Sequence, residues 1–111
     1  MNDFLRHRLS SHRLDRTAFA RPEEAVAWYG AMQGQDYRHA KWAVGIRCAG
    51  VSEADVEQAI ADRTLIRTWA MRGTLHLVAS DDAIWLLAGV VVGAAVGYLA
   101  GKQLDRSFSK K

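Results

Sequence analysis

The nineteen residues from Ala83 to Gly101 include no charged side chain, and every fourth position from Gly89 onward is glycine. As one helix this segment would be about 28 Å long, close to the hydrocarbon thickness of a bilayer. Its eight Leu, Ile and Val residues favour insertion only marginally, because the glycines offset part of the gain. In water, each helical glycine costs about 1 kcal/mol relative to alanine. The segment therefore predicts an apolar helix that needs a membrane or a protein partner, including a second copy of itself, along a glycine stripe made of Gly89, Gly93, Gly97 and Gly101.

This apolar segment divides the chain into three predicted parts. Residues 1–82 form a folded domain, residues 83–101 form the apolar helix and candidate membrane segment, and residues 102–111 form a basic tail. The 111-residue chain has room for one domain with its own core. The net charge of +3 is uneven, since residues 1–50 carry eight Lys and Arg against five Asp and Glu, and residues 51–82 carry three against six. A DNA-binding surface would therefore be local.

The cysteine and histidine content limits the available chemistry. Cys48 is the single cysteine, so no internal disulfide can form, and the N-terminus lacks a basic-then-apolar signal pattern. Both features predict a protein of the reducing cytoplasm. The four histidines have no metal-ligand spacing with one another or with Cys48. We therefore predict no metal site and no small-molecule cofactor.

Four helices are predicted before residue 63. A serine at position 52 with Asp55 three residues on has the pattern of a capping box, and Asp36 is expected to cap the third helix. Proline fits the first turn of the second helix. The predicted extents are to Leu14 for the first helix, from Pro22 for the second, about 37–47 for the third and from Glu53 to about Asp62 for the fourth.

In the segment after these helices, apolar and polar residues alternate as they do in two strands. Leu65 to Ala70 and Thr74 to Val78 are joined through a turn that contains Gly73. Three or four helices followed by a hairpin is the order of a winged helix-turn-helix module. Ser80 begins a last helix that continues into the apolar segment. The predicted fold class is mainly α with a small β-hairpin: a winged helix-turn-helix domain followed by an apolar C-terminal helix.

Two stretches carry a family resemblance. The first is Ala31 to Tyr37, with two glutamines two residues apart, and the second is Arg67 to Val78, the predicted hairpin. Together they resemble the winged-helix DNA glycosylases of the AlkZ/YcaQ type, repair enzymes that excise alkylated bases and unhook interstrand crosslinks. The resemblance runs from about Phe4 to about Leu87. It implies duplex DNA, including alkylated DNA, as the partner. Enzymes of this family resemble tandem arrays of winged-helix modules, so we expect a truncated relative that is inactive as an isolated module.

The resemblance implies that Gln33 and Gln35 are catalytic. A neutral amide cannot remove a proton near pH 7, but its carbonyl can hold a water and its NH₂ group can donate. These properties suit excision of a purine alkylated on a ring nitrogen, because that base is already positively charged and leaves without being protonated. The alternative is a pair of surface glutamines at a helix end. The family pattern has alanine or a larger apolar residue between the glutamines, so Gly34 predicts a looser loop.

Basic residues at two places are predicted to bind DNA phosphates. Arg67 and Arg72 lie in the hairpin; for Arg67 the alternative is packing over Trp69, which is itself expected in the core, or pairing with an acidic residue of the fourth helix. His76 matches a family position, and its alternative is a core or interface histidine. The helical members of the predicted set, for which the alternative is a solvated helix face, are Arg6, Arg8, Arg13, Arg38 and Lys41.

The predicted function is DNA binding by a winged-helix relative of these glycosylases. The activity it would carry is hydrolysis of the N-glycosidic bond of alkylated purines. The alternative is a small membrane-associated or interaction protein whose winged-helix head has lost repair activity. Strongly salt-dependent DNA binding would favour the first reading, and recovery of the chain in a membrane fraction would favour the second.

Overall fold

The structure, a computed structural model, describes residues 1–71 and 73–109. The elements are α1 (Asp3–Ser11), α2 (Pro22–Tyr29), β1 (Met32–Gln33), α3 (Tyr37–Gly45), α4 (Glu53–Ala61), β2 (Leu65–Met71), β3 (Thr74–Ala79) and α5 (Ser80–Ser109). Within the described ranges the three strands form one antiparallel sheet in the order β1–β3–β2. From α2 to β3, the succession of helix, strand, two helices and two strands is that of a winged helix-turn-helix domain, so the predicted fold class is confirmed.

Local signals decide where the helices begin. The Asn2 side chain accepts a hydrogen bond from the Leu5 N–H at 2.8 Å and caps α1. At α4, Ser52 Oγ accepts from the Asp55 N–H while Asp55 Oδ2 accepts from the Ser52 N–H, which is the predicted capping box. Pro22 occupies the first turn of α2. The predicted capping box and the predicted position of the proline are therefore confirmed.

The first helix ends earlier than predicted. It stops at Ser11 and not at Leu14, because Arg13 adopts a left-handed conformation with φ of 54° that cannot continue a helix. The carbonyl of His12 then accepts hydrogen bonds from Tyr29 Oη at 2.6 Å and from Arg47 Nε at 3.0 Å. These bonds attach the end of α1, which has no buried residue, to the rest of the domain.

The core lies on both faces of the sheet, with β3 in the middle. Leu77 and Val78 are adjacent in β3 and both fully buried, and they point to opposite faces because side chains alternate along a strand. The larger cluster joins the sheet to α2, α3 and α4 and contains Ala25, Val26, Ala40, Val44, Cys48, Val56, Ala59, Leu65 and Leu77. The smaller cluster joins the other face to the start of α5 and contains Ala70, Val78 and Ala83.

Two features of the sheet differ from the sequence-based expectations. The strand β1 was not predicted, since two residues are too few to show an alternating pattern. The prediction that Trp69 is a core residue is wrong, because its side chain is 59% exposed. The neighbouring Ala70 takes the buried position near the hairpin tip, where the register of the β2–β3 pairing shifts between Trp69 and Met71.

The last helix continues without a break through both predicted boundaries, at residues 83 and 102. Ala83 and the half-buried Leu86 pack on the hairpin, whereas described side chains from Leu87 to Gln103 are exposed. By length and composition alone, Ser80–Gln103 could cross a membrane, a property that many core helices share. Among the described residues, a Cβ added at any glycine of the stripe, Gly89, Gly93, Gly97 or Gly101, would have no atom within 4 Å apart from its chain neighbours and the adjacent backbone of α5 itself.

Candidate nucleic-acid interface

The two glutamines implicated in catalysis lie on a free edge of the sheet. Gln33 belongs to the edge strand β1 and stands opposite His76 of β3. The next residue, Gly34, donates its backbone N–H to the Leu75 carbonyl at 2.8 Å. Gly34 is buried, whereas the side chains of Gln33 and Gln35 on either side are exposed. Both glutamines are thus surface residues, Gln33 in an edge strand and Gln35 directly before Asp36, the N-cap of α3.

A backbone hydrogen bond determines how the Gln35 amide is oriented. The N–H of Leu75 donates to Gln35 Oε1 at 3.2 Å. Because a backbone N–H can only donate, the amide oxygen must face it, and the NH₂ group is left for a ligand. Within residues 1–71 and 73–109, the Gln33 side chain forms no hydrogen bond. The edge thus presents an oriented donor from Gln35 and an amide from Gln33 that can donate and accept.

Gly34, the residue after β1, packs closely against the backbone of β3. A Cβ at this position would lie 3.1 Å from the carbonyl carbon of His76 and 3.2 Å from the backbone nitrogen of Leu77. A larger residue would require the two backbones to separate by a few tenths of an ångström. Gly34 therefore allows the two backbones to pack closely. The sequence-based expectation was instead that this glycine loosens the loop.

Arg67 of β2 reaches across the middle strand β3 to residues 33–35, which contain both glutamines and are called the glutamine segment. Its Nε donates to the Gly34 carbonyl at 2.7 Å, and its Nη2 donates to the Gln35 carbonyl at 3.1 Å. The guanidinium carbon also lies 5.2 Å from the centre of the Tyr37 ring, a cation–π contact. The guanidinium therefore contacts the glutamine segment, in place of the Trp69 or α4 partners considered from sequence.

Lys41 is buried, and its amine lies between two carboxylates of α4. The side chain is 7% exposed, with Nζ 2.7 Å from Glu53 Oε1 and hydrogen-bonded to Glu57. Hydrogen bonds with Glu53 and Glu57 raise the pKa of Lys41 to about 12, and the same contact lowers the pKa of Glu53. The prediction that Lys41 offers a free charge on a basic surface is wrong, because burial and ion pairing engage the amine.

Asp36 caps α3, as predicted. Its Oδ1 accepts a hydrogen bond from the His39 backbone N–H at 3.0 Å, and its Oδ2 lies 3.2 Å from His39 Nδ1. The backbone hydrogen bond from His39 lowers the pKa of Asp36, so the cap is ionised at neutral pH. The glutamine segment is therefore fixed at one end by β3 and at the other by the start of α3.

An open cleft of about 390 Å³ lies beside Gln33, between β1 and α3. Trp42 lines it and is 66% exposed. Trp42 also lines a second cleft, of about 370 Å³, together with Arg38 and His39, which precede it by one helical turn. An exposed indole face can stack on a nucleobase, and arginine can bind phosphate. The spacing of Trp42 from Arg38 and His39 on α3 is the signal by which the sequence could have indicated this surface.

The charge on α4 disfavours its use as a DNA-reading helix. In helix-turn-helix proteins, the second helix of the pair enters the major groove. Here residues 53–62 contain no Lys or Arg. Phosphates would be repelled by its carboxylates, even though two of these bind Lys41. The charge therefore favours contact with DNA through the β1 and α3 surface. The four carboxylates are Glu53, Asp55, Glu57 and Asp62.

The remaining helical residues of the predicted DNA-binding set differ in availability. Arg6 and Arg8 on α1 are exposed, as is Arg38 on α3. Arg13 is half-buried, with its guanidinium carbon 4.7 Å from the centre of the Trp28 ring. Hydrogen bonds and ring contacts among the described residues link none of these arginines to the glutamine segment. Arg38 shares a cleft wall with Trp42.

The hairpin residues of the predicted set are only partly described. His76 is half-buried in β3, and its Nδ1 lies 3.0 Å from the Thr74 carbonyl. Its position opposite Gln33 in the β1–β3 pairing brings an imidazole beside the glutamine edge. Arg72 lies outside the described residues. The residues that the structure groups together are therefore Gln33, Gln35, Arg67 and His76.

Comparisons with known proteins connect this geometry to DNA repair. A family model described as DNA glycosylase AlkZ-like matches residues 26–106, beginning and ending later than the resemblance predicted from sequence. A curated relative from Streptomyces sahachiroi, an interstrand DNA cross-link repair glycosylase, is 40% identical over 52 residues, which are 47% of this chain and 14% of the relative. The solved structure of Streptomyces sahachiroi DNA glycosylase AlkZ matches with a TM-score of 0.57 and 32% identity, over 65% of this chain and 19% of that protein.

This chain thus spans less than a fifth of either relative. Both relatives are DNA glycosylases by name. They give no support to the alternative of a membrane-associated or self-associating protein.

Proposed function

The chain belongs to the AlkZ-like family of DNA glycosylases, and we propose that it binds duplex DNA and presents Gln33 and Gln35 to an alkylated base. One observation carries this proposal: both glutamine side chains are exposed, Gln33 on the edge strand β1 and Gln35 two residues further on, beside an open cleft with an exposed tryptophan. The name of the curated relative points to DNA with interstrand cross-links as the substrate. The same DNA substrate favours the cytoplasmic location predicted from sequence.

The chemistry that such an edge can supply is positioning: the leaving base needs no proton from the site, and the proton lost by the attacking water passes to bulk solvent. A purine alkylated on its ring nitrogen carries a positive charge, so the bond to the sugar can break without an acid. The site then has to stabilise an oxocarbenium-like sugar and hold a water for attack. The Gln33 carbonyl can accept a hydrogen bond from that water, and the Gln35 NH₂ group, oriented by the Leu75 N–H, can donate to an oxygen of the substrate. This scheme uses no metal or cofactor.

The proposed DNA path follows the surface of β1 and α3. Arg38 supplies a charge for a phosphate, and the exposed face of Trp42 supplies a stacking surface next to Gln33. The α1 arginines, Arg6 and Arg8, extend the positive charge to a second contact with the backbone. Glu53 at the start of α4 lines a cleft together with Arg38 and Trp42, so this path borders the acidic helix.

We expect the full chain to bind duplex DNA weakly and with strong salt dependence. Each phosphate neutralised steepens the plot of log affinity against log salt by about 0.9. Fluorescence anisotropy of a labelled duplex, measured at several salt concentrations, gives the slope. Arg38→Gln is expected to make the slope shallower by about 0.9, since one phosphate contact is lost.

The matched control is Arg21→Gln. Arg21 is also exposed, but it forms ion pairs with Glu23 and Glu24 and lies outside the proposed DNA path. Its replacement is expected to leave the slope unchanged. An affinity that does not change between low and high salt would contradict DNA binding through phosphates.

A further inference from the structure

We propose that Arg67 is a positioning residue that holds the glutamine segment in place, and that it is not a phosphate ligand. The proposal rests on the proposed function of Gln33 and Gln35, because a positioning residue needs a group to position. It also replaces the DNA-binding role that the hairpin location of Arg67 predicts from sequence.

The first support is the geometry of the contact. Arg67 donates from two different nitrogens to the carbonyls of two successive residues, Gly34 and Gln35. A planar guanidinium can make such a forked contact, whereas a lysine ammonium is a single point charge and cannot reproduce it. Hydrogen bonds from an ionised donor are stronger than neutral ones. To bind a phosphate with the same nitrogens, Arg67 would first have to release both carbonyls.

The second support is the weakness of the segment without this contact. The strand β1 is two residues long, and after it Gly34 adds one backbone hydrogen bond to Leu75 of β3. Beyond it, the chain turns into α3 within a few residues. Arg67 supplies two hydrogen bonds to this short connection, and its contact with the Tyr37 ring reaches the first residue of α3. These contacts of Arg67 with Gly34, Gln35 and Tyr37, called the clamp, therefore reach from the end of β1 to the start of α3.

The third support is the effect on the Gln35 amide. The backbone carbonyl of Gln35 is bound by Arg67, and its side-chain oxygen is bound by the Leu75 N–H. With the residue held at both ends, its NH₂ group has one direction in which to donate. Loss of the backbone contact would let the residue move and would weaken the hydrogen bond to Leu75.

The test compares Arg67→Met and Arg67→Lys in the full chain by NMR. Amide hydrogen exchange at Gly34 and Leu75 is expected to accelerate about tenfold in both variants, because local opening becomes easier. Exchange at Val78, in the part of β3 that pairs with β2, is expected to stay unchanged. The side-chain NH₂ resonances of Gln35 are expected to shift, while those of Gln58 on α4 remain in place.

Salt-dependent affinity for duplex DNA, measured on the same variants, separates the two roles of Arg67. A positioning role predicts that neither variant changes the slope of log affinity against log salt. Arg38→Met, in contrast, is expected to make this slope shallower by about 0.9 without altering exchange at Leu75. A shallower slope in Arg67→Met that Arg67→Lys restores would overturn the proposal and assign Arg67 to a phosphate. Unchanged exchange at Gly34 and Leu75 would overturn it as well. If no variant, nor the unaltered chain, binds DNA, the proposed function fails, and the exchange rates still decide whether the clamp exists.

Discussion

Truncating Leu77 to alanine is expected to lower the free energy of unfolding by about 2–5 kcal/mol. Leu77 is fully buried in the central strand and packs in the cluster that contains Leu65 and Val44. Its removal loses the transfer free energy of the side chain and leaves a cavity that the surrounding helices fill only in part. Chemical denaturation of the full chain, followed by circular dichroism, measures the change.

The control for this prediction is Leu99→Ala. Leu99 is 64% exposed on α5, so the same truncation removes no buried contact within the chain and is expected to change the stability by less than about 0.5 kcal/mol. Equal effects of the two substitutions would contradict a sheet in which β3 is covered on both faces.

Replacing Gln35 by alanine is expected to slow the release of N7-methylguanine from duplex DNA by about a hundredfold or more. The alanine lacks the NH₂ group that the Leu75 contact orients, so one preorganised donor to the substrate is lost. The rate is measured with the protein in large excess over DNA, because this module by itself is expected to excise poorly. Gln35→Glu should be impaired too, since a carboxylate still accepts from Leu75 but donates nothing.

Gln58→Ala provides the matched control for this loss. Gln58 is an exposed glutamine of α4 whose amide donates to Asp62 at 2.9 Å, remote in sequence from the glutamine segment. The substitution is expected to leave release unchanged. Full activity in Gln35→Ala would remove this glutamine from the mechanism.

The features predicted correctly from sequence are those that depend on neighbouring residues. The capping box of Ser52 and Asp55, and the cap provided by Asp36, join residues three positions apart, so the pattern is visible in the sequence. The hairpin was predicted because alternation along β2 and β3 is a local property as well. The glutamines were found through the family resemblance, since a pair of amides has no local signature of its own.

The features that were missed depend on contacts between distant parts of the chain. Arg67 meets the Gly34 carbonyl across 33 positions, so no local pattern could distinguish it from a phosphate ligand. Lys41 lies 16 positions from Glu57, and its burial follows from the packing of α3 on α4. The strand β1 exists only because its two residues pair with β3. Long-range pairing of this kind is set by the fold.

The face of the domain that meets DNA can be located by an NMR titration of the full chain with a duplex that contains an abasic-site analogue. The expected result is that the largest amide shifts fall between residues 33 and 42, at the glutamine segment and the start of α3. Shifts concentrated on α4 or α5, with Gln33 and Gln35 unmoved, would contradict DNA binding through the glutamine edge.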